Sequence, residues 1–292
     1  MGTSGSFSGS KTGLVPSWVD DPPAAPAAAP TDGASAPEAG SGDGVDSDDA
    51  NTNIPVSPSA YPPLQSPPPT SGLGAARGNI TRGARSSDSR AIRRGAGRYV
   101  AASGGGHRAA RRMSSSRATA GGIAGLAHTF AALGPVEALR SFKLESLAGS
   151  PATDVFVALT DALCPPGGTI DEAIARDAML ETVAALAAEG VVNFDELTSD
   201  DLQEFFIGVV SRSIEGKILN EVGTNSIRLP PDLAAVERAQ RMLHDFVDGC
   251  VRDRFAELGS SLAEISGEEI DDFVNDLYAA TFDLMQTLGE TP

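Results

Sequence analysis

Residues 152–172 read ATDVFVALTDALCPPGGTIDE, and this stretch decides the fold. Ala152, Val155, Phe156, Leu159 and Leu163 recur at i, i+3, i+4, the period of one buried helix face. Cys164-Pro165-Pro166-Gly167-Gly168 then ends the helix, because a pyrrolidine ring blocks the hydrogen-bond ladder and glycine favours turns. Thr169 stands three residues before Glu172, a capping box in which each side chain satisfies an orphan amide of the next helix. The stretch predicts a helix, a firm stop and a second, capped helix.

Working outward gives the same period in both directions and no alternating strand pattern of any length. Upstream, a weak Gly/Ala-rich helix is predicted over about 121–133, and Pro135 opens another, to about 148, carrying Val136, Leu139, Phe142 and Leu147. Downstream, the helix over about 170–189 has Ile170, Ala173, Ile174, Leu180 and Ala184 on one side and Met179, Val183 and Leu186 on another, which predicts a central helix touched from both sides. A longer one, about 199–222, carries Leu202, Phe205, Phe206 and Val209, with Asp200 and Asp201 at its positive end. Pro230-Pro231 resets the chain before the stripe Val236, Ala239, Leu243, Phe246, Val247, Cys250, Val251. A last helix, capped by Ser266 with Glu269, carries Ile270, Phe273, Val274, Leu277, Leu284 and Leu288. The fold class is all-α, a single bundle of six or seven helices over 118–292, behind a long disordered amino-terminal tail.

The tail is inferred from charge sorting. Residues 1–76 hold one Lys against eight acids, residues 77–117 eleven Arg against Asp88, and residues 118–292 ten bases against thirty acids, which together make the net charge of −17. Like-charge blocks in Gly/Pro/Ser-rich sequence bury too little apolar surface to offset the entropy of ordering. Residues 1–20 read as a docking peptide, 21–76 as an acidic, Pro/Ala-rich linker, 77–117 as a disordered Arg-rich segment and 118–292 as an acidic helical domain. Two cysteines, Cys164 and Cys250, are too few for a disulfide framework and fall in or beside buried helical patterns. No apolar run suits secretion or a bilayer span, so a reduced, cytoplasmic setting is expected, and Asn79-Ile80-Thr81 is a chance glycosylation match.

Common catalytic signatures are missing. There is no phosphate-binding G-x-x-x-x-G-K-[ST] and no G-x-S-x-G elbow, so Gly104-Gly105-Gly106 reads as flexible segment. His107, His128, His244 and the two cysteines lack metal-ligand spacing, and no metal or cofactor is expected. The acidic pairs Asp171/Glu172, Asp200/Asp201, Glu268/Glu269 and Asp271/Asp272 lie at helix starts, where they complement the helix dipole. No catalytic residue is assigned, and the chain is expected not to be an enzyme.

Two segments carry binding chemistry. The Arg block, with Arg93, Arg94, Arg98, Arg108, Arg111 and Arg112 as candidate nucleic-acid contacts, suits phosphates and salt-dependent binding. Its one aromatic, Tyr99, serves base stacking poorly, and pairing of the block with the acidic domain of its own chain or of a partner competes with nucleic acid. At the amino terminus, Met1-Gly2-Thr3-Ser4 exposes Gly2 after methionine removal and matches a loose myristoylation pattern. Leu14-Val15-Pro16-Ser17-Trp18-Val19 holds the single Trp, an apolar patch in polar sequence of the kind that anchors a docking peptide.

Met1-Gly2-Thr3-Ser4 with Leu14-Val15-Pro16-Ser17-Trp18, together with the block Cys164-Pro165-Pro166-Gly167-Gly168-Thr169-Ile170-Asp171-Glu172-Ala173-Ile174-Ala175-Arg176, resembles the QatB family, accessory proteins of the bacterial Qat anti-phage defence system. The resemblance spans some thirty residues, and the turn running into the helix, with Cys164, Pro165, Gly167, Gly168, Asp171, Glu172 and Arg176, is its more specific part. It implies a defence operon beside an ATPase, a deazaguanine-synthase-like enzyme and a TatD-like nuclease; no membrane partner is expected from the sequence itself. In that setting the chain is expected to act as adaptor and as a modification substrate at Gly2, with Gly2, Thr3, Ser4, Leu14, Val15, Pro16 and Trp18 gripped by the synthase-like partner. The alternative is a module whose Arg block presents DNA to the nuclease.

Overall fold

A computed structural model describes residues 72–164, 168–190, 192–223, 233–259 and 261–291. Ten α-helices and no strand lie among the described residues: α1 Leu73–Ser86, α2 Ser89–Ser103, α3 Gly106–Arg111, α4 Ser114–Leu133, α5 Pro135–Arg140, α6 Ala152–Leu163, α7 Ile170–Glu189, α8 Ser199–Gly223, α9 Leu233–Leu258 and α10 Ile270–Glu290. The all-α bundle agrees with the sequence reading. The number of helices exceeds six or seven because the Arg block is itself folded.

That is the main correction. Residues 77–117, expected as disordered tail, form α1, α2, α3 and the start of α4, so the boundary expected at residue 118 falls inside α4. The charge argument failed because these helices bury small residues and turn most of their arginines outward. Ala76, Ile80, Ala84, Ala91, Ile92, Ala96, Tyr99 and Val100 are buried, and α1 and α2 form a hairpin in which α2 also packs along α10. Glycine permits the close approach: a Cβ on Gly97 would lie 2.9 Å from the Cα of Gly289 on α10. Gly104 (φ +90°) and Gly105 (φ +93°) make the turn from α2 to α3, a left-handed conformation that side chains resist. The triple glycine is thus a structured corner, and its third member, Gly106, donates its N–H to Asp283 Oδ1 at 3.0 Å.

Elsewhere boundaries shift. The helix expected over 121–133 begins at Ser114, and the one expected over 135–148 ends at Arg140, followed by a 3₁₀ turn at Glu145–Leu147. Ser266 donates to Glu269 Oε2 at 2.7 Å, but α10 begins only at Ile270, so Ser266 orders the approach to the helix. The capping box of α7 is present, with Glu172 N–H donating to Thr169 Oγ1 at 3.2 Å and Thr169 N–H to Glu172 Oε2 at 3.1 Å.

The central helix is α8 rather than α7. Ile170 is 61% and Leu180 38% exposed, whereas α8 buries residues all round its axis and touches α4, α7 and α9. Phe205 of α8 stacks on Phe156 of α6 with centroids 3.8 Å apart, and Phe194 meets Phe156 and Phe130 edge-on. Phe206, Phe255 and Phe273 form a second aromatic group linking α8, α9 and α10. Offset and edge-on ring pairs add about 1 kcal/mol each beyond area burial.

Candidate functional site

The family-motif block resolves into a latch. Arg176, two turns into α7, donates from Nη1 to the Cys164 carbonyl at 2.9 Å and from Nη2 to Asp161 Oδ1 at 2.6 Å. A guanidinium at the carboxyl end of α6 satisfies an orphan carbonyl and complements the negative dipole there. The Cys164 thiol is buried and 3.1 Å from Thr119 Oγ1 of α4; burial raises its pKa, which disfavours the thiolate and suits a packing role. Gly168 is exposed, while Pro165 and Gly167 lie outside the described residues.

Asp171 does more than complement the dipole of its own helix. Its side chain has no exposed surface, and Oδ2 accepts the Ser115 N–H at 2.7 Å. The residue at the head of α4, Met113, offers no capping side chain, so the cap of α4 comes from α7. Asp171 is also one end of a buried chain of charge. Lys217 Nζ of α8 lies 3.8 Å from Asp171 Oδ1 and 3.5 Å from Glu221 Oε1, and Arg112 Nη2 lies 3.1 Å from Glu221 Oε2. Arg112 also donates to Ser103 Oγ at 2.7 Å. Tyr99 adjoins this chain, and burial, helped by the Glu221 charge, pushes its hydroxyl pKa well up. Tyr278 is likewise raised by burial and shares a 2.8 Å hydrogen bond with Ser213 Oγ.

Four charges of alternating sign therefore join the α3–α4 corner, α8 and α7. Burying ions costs more than their attraction returns unless each finds a partner, and here each does. Sequence reasoning missed Lys217 and Glu221. The available signal was an i, i+4 Lys–Glu pair flanked by Ile214, Ile218 and Val222, a pattern that otherwise describes an exposed helix pair.

Arg112, expected at a nucleic-acid surface, thus belongs to the interior. Two more residues of the Arg block turn inward: Arg117 bonds Asn275 of α10, and Arg77 Nε donates to the Val222 carbonyl at the end of α8 at 3.0 Å. Pairing of the block with an acid of its own helical domain is seen at Arg112, whose partner is Glu221. Arg93, Arg94, Arg98, Arg108 and Arg111 are exposed, as are Arg82, Arg85 and Arg90. Arg93 lies over the Phe246 ring at 5.8 Å from its centroid. The only acid among residues 72–117, Asp88, is committed to the head of α2, where it accepts the Arg90 N–H at 2.9 Å.

A second polar region lies between α7, α8 and α9. His244 Nδ1 is 2.9 Å from Glu215 Oε2, and that hydrogen bond holds the imidazole pKa above its usual value against the opposing effect of burial. Glu181 nearby is pushed up by burial and by the Glu215 charge. Arg252 joins Glu204 and Asp248, each at 2.7 Å. Among the described residues no group of three His, Cys, Asp or Glu is arranged to hold a metal, and no helix is long and apolar enough to cross a membrane. Gly2, Thr3, Ser4, Leu14, Val15, Pro16 and Trp18 lie outside the described residues.

No curated protein and no solved structure matches the chain. Residues 104–285, however, match the family described as Qat anti-phage system associated protein QatB. The matched span runs from the α2–α3 corner into α10 and contains the latch and the whole buried charge chain. Covering well over half of the sequence, it shows that the chain belongs to the QatB family and is a component of the Qat anti-phage system.

Proposed function

We propose that the chain is a cytoplasmic, non-catalytic adaptor of this system, with Gly2 modified by the deazaguanine-synthase-like partner while the helical domain docks to the ATPase or the TatD-like nuclease. The observation that carries the adaptor reading is the use made of the family-motif residues. Cys164, Asp171 and Arg176 are spent on joining α4, α6, α7 and α8, and Glu172 on capping α7, which suits a rigid body for docking. The chemistry of the amines supports Gly2 as the modified group. A free α-amine, with a pKa of about 7.7–8.0, is about a tenth to a sixth neutral at pH 7, whereas an exposed lysine, at about 10.4, is neutral in well under a thousandth of molecules. The sequence has only Lys11, Lys143 and Lys217 to compete, and Lys217 is buried between two carboxylates. Leu14 to Val19, with the single Trp, supplies the apolar grip beside the reacting end.

The test is the mass of the amino-terminal peptide from cells expressing the chain with and without the synthase-like partner. An increment on Gly2 that requires the partner is expected. An unmodified Gly2 in a cell that resists phage overturns the substrate half of the reading.

A further inference from the structure

We propose that the arginine face of α2, with the adjoining arginines of α3, is a docking surface for the sugar–phosphate backbone of duplex nucleic acid. Arg90, Arg94 and Arg98 follow one another at four-residue steps, so they share one side of the helix, and all three are exposed. At 1.5 Å rise per residue the stripe is about 12 Å long, a length over which a duplex carries about three or four phosphates on each strand. Arg108 and Arg111 on α3 continue the positive surface past the Gly104-Gly105 corner. Among the described residues none of these five makes a salt bridge, while the one acid among residues 72–117, Asp88, caps α2.

The composition of the face chooses the ligand. Protein interfaces are centred on buried aromatic or aliphatic anchors, and the arginines enriched in them work beside such anchors. The other exposed residues of α2 are Ser89, Arg93 and Ala101, none of them a large aromatic or aliphatic anchor. Single strands are held by stacking on aromatic rings, and Tyr99, the one aromatic of α1–α3, is fully buried. A row of guanidinium groups on a rigid helix fits a regular line of phosphates and reads no sequence. The remaining domain, residues 118–292, has a net charge of −20 and repels a polyanion, which confines the contact to this face. The inference is independent of the Gly2 reading, since it places no demand on residues 1–71.

The experiment is fluorescence anisotropy of the full chain with short labelled duplexes of unrelated sequence, over about 50 to 200 mM salt. Equal affinity for the sequences and a steep fall with salt are expected. Replacing Arg90, Arg94 and Arg98 together by Gln should lower the slope of log K against log salt by about 2 to 3, one increment per lost phosphate contact, with helical circular dichroism unchanged. The corresponding triple Lys variant should restore most of the binding. Absence of binding at the lowest salt, or an unchanged slope in the Gln variant, overturns the proposal. So does loss of co-purification with another Qat component in the Gln variant while the wild type leaves duplex unbound, because the face is then an acidic-protein interface.

Discussion

Replacing Arg112 by Ala leaves Glu221 and Lys217 buried with their balance of charge broken, and opens a gap where the guanidinium met Ser103. Breaking one member of a buried ion network costs about 3–5 kcal/mol, so a loss of about 3 kcal/mol is expected in urea unfolding. Arg98→Ala, on the exposed side of α2, should stay within about 0.5 kcal/mol. The contrast separates an interior role from a surface role for two arginines that look alike in sequence. His244 gives a pH signature. Its folded pKa is raised by Glu215, so the stability it contributes is complete below the free-imidazole value of about 6.5 and is lost as pH rises through the folded value. Unfolding free energy should therefore decline from pH 6 towards pH 8 in the wild type, and His244→Gln should flatten that decline. Glu181, also raised, has the same sign, so the comparison with His244→Gln rather than the wild-type slope alone isolates the share of the histidine.

At the scale of elements, the crossing of α2 and α10 depends on two glycines that admit no side chain. In Gly97→Ala, the new Cβ would meet the Gly289 Cα at 2.9 Å and the Met285 carbonyl at 3.2 Å, both backbone atoms that cannot swing aside. Alanine favours helix by about 1 kcal/mol over glycine, yet overpacking costs about 1–3 kcal/mol, and here the helices must separate. A net loss of about 2 kcal/mol is expected in denaturant melts, with faster trypsin cleavage within α1–α3 than in the wild type. The same crossing explains why part of the fold was legible and part was not. The α6 stop and the Thr169–Glu172 cap could be read because they depend on residues near one another in sequence. So could the apolar stripes of α8, α9 and α10. The helices of the Arg block could not, because their core is made by Ala and Gly against partners far along the chain, and by local rules such residues count as weak helix or linker. Asp171 fell between these cases: its place at a helix start was clear, but its ligands on α4 and α8 were not.

For the whole molecule, the helical unit includes α1, α2 and α3 rather than starting at residue 118. Residues 72–292 should unfold cooperatively as a purified fragment. Residues 118–292 should aggregate or bind a hydrophobic dye, since removing α1–α3 uncovers the surfaces of α9 and α10 that Ile80, Ile92, Tyr99 and Val100 cover. Similar solubility and melting of the two fragments would contradict this arrangement. The contact of α3 with α10 also has a consequence for synthesis. Gly106 and its partner Asp283 are 177 residues apart. At about 5–20 residues per second, the ribosome needs on the order of 10 to 35 s to deliver the second after the first. Throughout that interval the inner faces of the arginine helices wait without their cover, and a message cut short before α10 yields an unclosed chain for chaperones and proteases rather than a smaller working domain.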